Sequence, residues 1–590
     1  MENADVARVF AEMADLLELT GGNPFKVRAY RQAAQFIEML PEPLSELWRQ
    51  GRLTELPSVG ARLADHIQEM LVTGHYAEHD QLAERVPPGV LEMLRLEGVG
   101  PKTVALAWKE LGIQDVAGLE AACHDGRLAA LPHLGRRRAE GILHAIQRYE
   151  ARRGRTPLHH ALPQAEALVE RLRRVPKVAR VEVAGSLRRR RDTVGDIDLL
   201  VATLEPGPVS RAFTGAPEVG QVLASGPTKC TVRLHGGLQA DLRVVAPVSF
   251  GAALHYFTGG KAHNIALRTR AVHRGLKLNE YGVFDRKGRR LGGATEEEVF
   301  RAVGLPWIPP ELREGEGELE AAEAGTLPDL VTVEDLLGDL HVHSDASTDA
   351  RSDVDALVHE ARRLGRRYLA ITDHSRSRPR GLAAGPLALH AAELRRKDKT
   401  LRGRPHLLAG VEVDILPDGT LDLPLELLAA LDCVVASVHS AFHQGREEMT
   451  ERICRALRSG VVHVLGHPSG RLLGTRDAYD FDLERVLEAA REHGVALEVN
   501  AMPDRLDLTD RACRVAKAAG VPVVISSDSH HVSHLSNLRY GVWTARRGWL
   551  EASEVLNTRT LQQLRHAWLH PRGVGRAAAP ISYPPTDAHP

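Results

Sequence analysis

The chain has little net charge, few cysteines and no long apolar run, and each shortage narrows what it can be. A formal charge of -1 over 590 residues offers no global attraction for nucleic acid, so any polyanion must be met by local basic patches. The five cysteines, Cys123, Cys230, Cys433, Cys454 and Cys513, include no CxxC pair. That excludes a zinc knuckle or a disulfide framework and points to a reducing compartment. No apolar run approaches the roughly 20 residues of a membrane span, and Met1-Glu2-Asn3 opens no basic-then-apolar leader. The expectation is a cytoplasmic protein with no membrane partner. Hydrophobic content of 43% and charged content of 26% are those of an ordinary folded protein, long enough for several domains.

What is present is histidine, 29 in all and 17 of them after residue 335. Local basic patches exist at Arg136–Arg138 and Arg188–Arg191, although a run of this kind is by itself more often a solvated face. Residues 1 to about 150 carry apolar residues at helical spacing, as in Val6, Val9, Phe10, Met13, Leu16 and Leu17. From about 160 the pattern turns to a helix (Gln164 to Arg173) and strands at Val178 to Ala184, Asp196 to Ala202 and Leu238 to Val245. The run Glu311 to Glu318 reads as an acidic, glycine-bearing linker. After about 336, short apolar strands alternate with amphipathic helices, from Tyr368–Thr372 to Val521–Ser526. Repeated β-α units predict a parallel sheet, and this many predict a barrel. The last residues, Gly573 to Pro590, have the Pro- and Ala-rich composition of a disordered tail.

Three segments share an apolar residue, a tight turn and then a helix. They are Leu56 to Gly60, Leu96 to Gly100 and Leu131 to Gly135. Glycine in the turn lets a phosphate approach closely, and the free amides of the next helix point at it. Val59, Gly60, Gly98, Gly100 and Gly135 are the candidate DNA-backbone contacts, in a mode that carries no base information. One copy alone would be an ordinary capped helix turn; three copies favour DNA binding. The middle copy is the most complete, since Ser58 and His133 stand where the first and third would have glycine.

Asp196 and Asp198 lie two apart on one expected strand, so both carboxylates share a face. Like charges this close call for a divalent cation. Asp241, on the strand Leu238 to Val245, completes a three-carboxylate set suited to two-metal phosphoryl transfer. Gly185-Ser186 follows an apolar strand and can offer amides and a hydroxyl to phosphates, and the arginines beside it can neutralise them. This arrangement resembles the nucleotidyltransferase superfamily of DNA polymerase beta. Tyr256-Phe257-Thr258-Gly259-Gly260-Lys261-Ala262-His263-Asn264, with Arg268, resembles the nucleotide-binding and thumb region of family X DNA polymerases. The resemblance implies that Ser186 and Arg189 hold the triphosphate with Gly185 and Gly195 beside it. It sets Tyr256 and Phe257 against the sugar, Asn264 at the incoming base and Arg268 near the templating base, with Gly259, in the turn after the aromatic pair, also nucleotide-binding. Asn23 to Arg31 resembles the family's first small domain, but His66 occupies the position of its Schiff-base lysine. An imidazole cannot form that Schiff base, so lyase action by that route is not expected.

In the histidine-rich part, Asp339-Leu340-His341-Val342-His343-Ser344 sets two imidazoles on one strand. His374, Glu412, His439, His467, Asp528 and His530 follow at the ends of later strands, where a barrel gathers its active site. Mixed His and carboxylate ligands suit Mn²⁺, Zn²⁺ or Fe and phosphoester hydrolysis. The set resembles the PHP (polymerase and histidinol phosphatase) domain over about residues 336 to 572. The resemblance implies two or three ions: one at His341, His343, Glu412 and Asp528, a second at Glu412, His439 and His467, and a third at His374, His530 and one more group. The family's aspartate position is Thr348 here, and Asp349 next door is the candidate replacement. Asn500 and Arg505 are candidate phosphate contacts.

The expected fold is multidomain α+β and α/β: a helical, hairpin-rich N-terminal region, a nucleotidyltransferase palm and thumb, and a distorted β/α barrel. The expected divisions are a small DNA-binding domain (1–80), fingers (81–158), palm (159–246), thumb (247–312), linker (313–335), PHP domain (336–572) and tail (573–590). The whole resembles bacterial family X polymerases. It implies gap-filling DNA synthesis in repair with Mg²⁺ or Mn²⁺, plus a metal-dependent 3′-5′ exonuclease, with abasic endonuclease or 3′-phosphatase action as alternatives at that centre. The implied partners are gapped or nicked duplex DNA, primer 3′ ends and dNTPs, and a monomer is expected. Two rival readings stay open: a nucleotidyltransferase that does not use DNA, fused to a small-molecule phosphatase, and a non-catalytic DNA-binding scaffold.

Overall fold

The computed structural model describes residues 3–38, 44–56, 59–94, 96, 98–132, 134–152, 154–347, 349–378, 381–401 and 405–569. Ser58, His133, Thr348 and the expected tail 573–590 lie outside the described residues. The chain divides into two compact units, Met1–Arg153 and Gly154–Pro590. Among the described residues, no helix is long and apolar enough to cross a membrane.

The first unit is helical. Its apolar stripes close two cores, one running from Val6 to Tyr76 and one gathering residues from Val86 to Ile146 with Leu16 and Leu19 of the first helix. Helices Ala61–Thr73, Pro101–Leu111 and Gly135–Arg152 each follow one of the three hairpin turns.

The second unit opens with a five-stranded sheet. Its strands are β1 (Arg180–Val183), β2 (Asp196–Ala202), β3 (Val219–Ser225), β4 (Lys229–Leu234) and β5 (Gln239–Val245), in the order β1-β2-β5-β4-β3. The pair β2 and β5 is parallel, with Asp198 opposite Asp241. Helix Leu158–Arg173 covers one face with seven buried apolar residues. Beyond the sheet, helices Phe250–Thr258, Lys261–His273 and Glu296–Ala302 pack on Leu278, Val283 and Ile308.

The barrel follows: β6 (Gly338–Val342), β7 (Tyr368–Ile371), β8 (His406–Asp414), β9 (Cys433–Ser437), β10 (Val464–Leu465), β11 (Ala496–Asn500) and β12 (Val523–Ser526). They form one parallel sheet in sequence order. Val342 bridges Ser529 beyond β12, which nearly closes the ring. Alternation sorts its side chains. Leu408, Val435, Ala496 and Val524 join an inner cluster with Trp568, while Leu407, Val434, Leu497 and Val523 face the surrounding helices. Helices Leu483–His493 and Asp510–Ala518 start where they do because Asp482 and Thr509 are N-caps that accept from Arg485 N and Ala512 N. Strand β10 is only the two residues Val464–Leu465. There the Val434 amide donates to the His463 ring at 3.1 Å rather than to backbone.

The acidic stretch read as a linker is folded in place. Glu318 opens a helix (Glu318–Ala324), is fully buried, and lies 2.7 Å from His263 Nδ1. Arg313, fully buried, donates to Glu296 Oε1 at 2.6 Å, and Arg188 grips the same carboxylate with two bonds of 2.8 Å. Each acid of the run that goes inside does so beside a cation or an amide, a pairing that composition alone does not show. Burial would raise the Glu296 carboxyl, but Arg313 and Arg188 outweigh it and hold the group far below the ordinary carboxylate range. Glu296→Gln is therefore expected to destabilise this unit by about 3–5 kcal/mol, the usual cost of stranding a buried charge, read by urea denaturation near neutral pH. Because the folded pKa is depressed, the contribution is complete above the unfolded carboxylate value near 4.3 and is lost as pH falls through the folded one. The gap between wild type and variant should close in acid; a gap that is constant with pH would refute the charge argument.

Candidate active sites

In the first unit the three hairpins repeat one backbone hydrogen bond. Val59 N donates to Leu56 O at 3.1 Å, Val99 N to Leu96 O at 3.1 Å, and Leu134 N to Leu131 O at 3.2 Å. Gly98 takes φ +72° and Gly135 φ +49°, and nothing lies within 4 Å of where a Cβ would stand at Gly60, Gly98, Gly100 or Gly135. The glycines at these helix starts are exposed, which leaves room for a phosphate to approach the backbone. Arg136, Arg137 and Arg138 are exposed at the third of them. His66 Nδ1 lies 3.0 Å from both the Tyr30 and Tyr76 hydroxyls.

In the palm, parity on β2 and register with β5 bring Asp196, Asp198 and Asp241 together, with ligand atoms within 4.8 Å of one another. Burial first, then Asp196 and Asp241, push the Asp198 carboxyl up to about 7. Asp241 is fixed by Thr231 Oγ1 and by Gln239 Nε2 at 2.8 Å. Gly185, at φ +61°, faces this site closely: a Cβ there would stand 2.2 Å from Asp198 Oδ2. Only glycine lets the turn before Ser186 approach the carboxylates.

Tyr256 and Phe257 meet edge to face at 5.0 Å, and Arg268 lies over the Tyr256 ring at 5.7 Å. Asn264 Nδ2 donates to Tyr256 O at 2.7 Å. A Cβ on Gly259 would strike Asn264 Oδ1 at 2.2 Å, so this turn too needs glycine. The arginine run is mostly spoken for internally. Arg188 holds Glu296, and Arg189 holds Glu314 and the Thr258 and Gly259 carbonyls. Arg190 stacks 4.1 Å over Trp543. Gly195 has only the Arg155 guanidinium near its missing Cβ, at 3.9 Å.

At the open end of the barrel, the inward parity passes from apolar to polar side chains along several strands, as in Leu408-Gly410-Glu412 and Ala496-Glu498-Asn500. Three groups gather there: His341, His343 and Asp528; Glu412, His439 and His467; and His343, His374 and His530. Glu412 sits between them. Its Oε1 is 2.9 Å from His467 Nε2 and 3.3 Å from His439 Nε2. Its Oε2 is 2.7 Å from His374 Nδ1 and 3.6 Å from the Nε2 atoms of His341 and His343. Asp349 Oδ2 reaches His374 at 3.2 Å and His530 at 3.6 Å.

Residues 253–314 match the DNA polymerase beta thumb, 1–76 the helix-hairpin-helix domain, 90–148 the SAM-like helix-hairpin-helix tandem, and 339–502 the PHP domain. A Bacillus subtilis (strain 168) protein named DNA polymerase/3′-5′ exonuclease PolX is 37% identical over 569 residues, 96% of this chain and 99% of that protein. The chain belongs to the PolX family. About a third of the chain is also similar to probable phosphatases. One from Caldanaerobacter subterraneus subsp. tengcongensis is 32% identical over 33% of this chain and 76% of its own length. Another, from Vibrio parahaemolyticus, is 31% identical over 39% of this chain and 93% of its own length.

The barrel residues of this PolX chain fit divalent metals on chemical grounds. His341 Nε2 and His343 Nε2 lie 3.1 Å apart and both face Glu412 Oε2 at 3.6 Å and Asp528 Oδ1 at 3.5 and 3.2 Å, so nitrogen and oxygen donors converge on one buried point as a divalent ion requires. Burial first, then His530 and His374, hold the His343 ring down to about 4. His343 takes part in two groups rather than one. The sequence reading missed the residues that orient these ligands. Glu498 Oε1 lies 2.8 Å from His341 Nδ1, and its Oε2 accepts from His467 N at 2.6 Å. Asp414 holds His439 Nδ1 at 2.6 Å. Asp373 accepts from Ser344 N, Ser344 Oγ and Ser347 Oγ, each at 2.7 Å, so it shapes the loop after His343. A carboxylate at an inward position of a buried strand, as in Ala496-Leu497-Glu498-Val499-Asn500, was the available signal.

Proposed function

We propose that this PolX chain fills short gaps in DNA by template-directed synthesis and shortens primer 3′ ends at its barrel, acting as a cytoplasmic monomer on gapped or nicked duplex. The observation that carries the reading is the meeting of Asp196, Asp198 and Asp241 against Gly185, within one folded unit that also holds the histidine centre. Asp196, Asp198 and Asp241 would hold Mg²⁺ or Mn²⁺. His341, His343, Glu412, Asp528, His439, His467, His374, His530 and Asp349 would hold two or three Mn²⁺, Zn²⁺ or Fe ions. When bound, such ions neutralise charge on the reacting phosphate and activate the attacking oxygen.

The chain's own groups supply position. Ser186, at the start of helix Gly185–Arg188, and Arg189 meet the triphosphate, and the Tyr256-Phe257 wall meets the sugar. Asn264, steadied by the Tyr256 carbonyl, faces the incoming base and Arg268 the templating one. At the barrel, Glu498 and Asp414 set the ring orientations of His341 and His439. Arg505, whose Nε is 3.7 Å from Asp528 Oδ2, has a buried Nη1 with no partner and takes a phosphate oxygen. The exposed hairpin amides grip the DNA backbone.

The test is a labelled primer in a one-nucleotide gap, incubated with Mn²⁺ and resolved by length. With dNTPs it should lengthen by one residue; without them it should shorten from its 3′ end. Neither change, together with no binding of gapped DNA, would favour a nucleotidyltransferase fused to a small-molecule phosphatase.

A further inference from the structure

The polymerase part and the barrel part of the second unit share one carboxylate. Glu314 Oε1 accepts from Arg189 Nε at 3.0 Å and from Arg547 Nη1 at 2.9 Å. Arg547 Nη1 also donates to the backbone oxygen of Arg189 at 3.0 Å, and its Nη2 pairs with Asp510. Arg547 ends the helix Leu538–Arg547 that packs on β12 and is nearly buried, its side chain 5% exposed. A guanidinium so far from water needs both its carboxylates, so its place is well determined. On the far side of Glu314, Arg189 is tied by its Nη1 to the carbonyls of Thr258 (2.6 Å) and Gly259 (3.1 Å), the turn behind the Tyr256-Phe257 wall.

The sharing has a consequence for Arg189. With Arg547 present, the Glu314 carboxylate is divided between two hydrogen-bonded guanidinium groups, with Arg191 Nη1 farther off at 3.8 Å from the same oxygen. Without Arg547, it is free to turn both oxygens onto Arg189, the bidentate geometry that arginine and carboxylate favour. That would draw the Arg189 charge away from a nucleotide phosphate, and the backbone of Arg189 would lose its anchor at the same time.

We infer that Arg547, on the barrel side, is a positioning residue for nucleotide binding in the polymerase site, acting through Glu314 and Arg189. It makes docking of the barrel helix a determinant of the KM for dNTP. This rests on the reading of Arg189 as a triphosphate contact. No contact between Arg547 and substrate is required.

The experiment measures one-nucleotide gap filling by the full chain against dNTP concentration. R547Q should raise KM roughly 5- to 10-fold with kcat within about 2-fold, the pattern of lost uniform binding. R547K should recover part of the loss. The double variant R547Q/E314Q should lie nearer wild type than R547Q, because the freed carboxylate is gone; a merely structural role predicts further loss. R546Q breaks the neighbouring contacts of the same helix, to Glu311 and to the Leu330 and Val331 carbonyls, and should leave KM unchanged. An unchanged KM in R547Q beside a raised KM in R189Q overturns the inference while the Arg189 reading stands. An unchanged KM in R189Q overturns both. Equal effects of R546Q and R547Q would mean general loosening of the helix and also overturn it.

Discussion

Asp198→Ala is expected to abolish gap filling, by about 10³-fold or more in single-turnover rate, while primer shortening in the absence of dNTPs continues. The Asp198 carboxyl is raised by burial first and then by both Asp196 and Asp241, so it responds to each of its neighbours. The three carboxylates together would hold the divalent ions that neutralise charge on the triphosphate, and a loss of 10³ corresponds to about 4 kcal/mol of transition-state stabilisation. The substitution removes a carboxyl whose folded-state pKa is raised, so it relieves like-charge repulsion rather than breaking a favourable pair. The variant should therefore fold and melt no lower than wild type. Residual extension within about 10-fold of wild type would remove Asp198 from the catalytic set. Loss of extension and shortening together would show that the two centres are not separate.

Glu412→Gln should give the reverse result: no primer shortening, with gap filling kept. One carboxylate here faces five imidazoles, those of His341, His343, His374, His439 and His467. Its neutral amide keeps the size but turns one oxygen into a donor aimed at ring nitrogens. Removing even the groups that merely orient metal ligands costs about 10- to 100-fold in affinity, so a shared ligand should cost at least that. Metal content after dialysis, measured on purified protein, is the direct readout and does not depend on activity. Full retention of metal with loss of shortening would make Glu412 a group that acts on substrate. Retention of both would dissolve the shared-ligand reading.

Much of both centres was legible in the sequence, for a specific reason. Asp196 and Asp198 are two apart, and strand geometry puts such a pair on one face whatever the rest of the chain does. Gly185-Ser186 was readable as a phosphate-facing turn because it follows an apolar strand, while the close approach of Gly185 to Asp198 came from the structure. The histidines were readable because they recur at the ends of strands that alternate with helices, and a parallel barrel gathers those ends. The acidic run 311–318 was misread because its composition is that of a solvated linker, while its carboxylates are consumed by Arg189, His263, Arg546 and Arg547. Arg188 to Arg191 looked like phosphate ligands as a block, yet all four have partners more than 100 residues away. Glu498 went unnoticed although a carboxylate inside the apolar run Ala496 to Val499 was a signal; which histidines it would meet waits on the register of the ring.

The sequence by itself determined the elements, the faces of the strands, the positions that had to be glycine and the chemical character of two separate metal-suited centres. These follow from backbone periodicity and side-chain chemistry, which act over a few residues. Only the tertiary structure decided which carboxylates orient the histidines, which acids neutralise the arginine run, and that Arg547 reaches from the barrel to the polymerase site. Those pairings join residues tens to hundreds of positions apart. A buried charge accepts whichever opposite charge the packing of the cores brings within reach, and that choice is made by the fold as a whole.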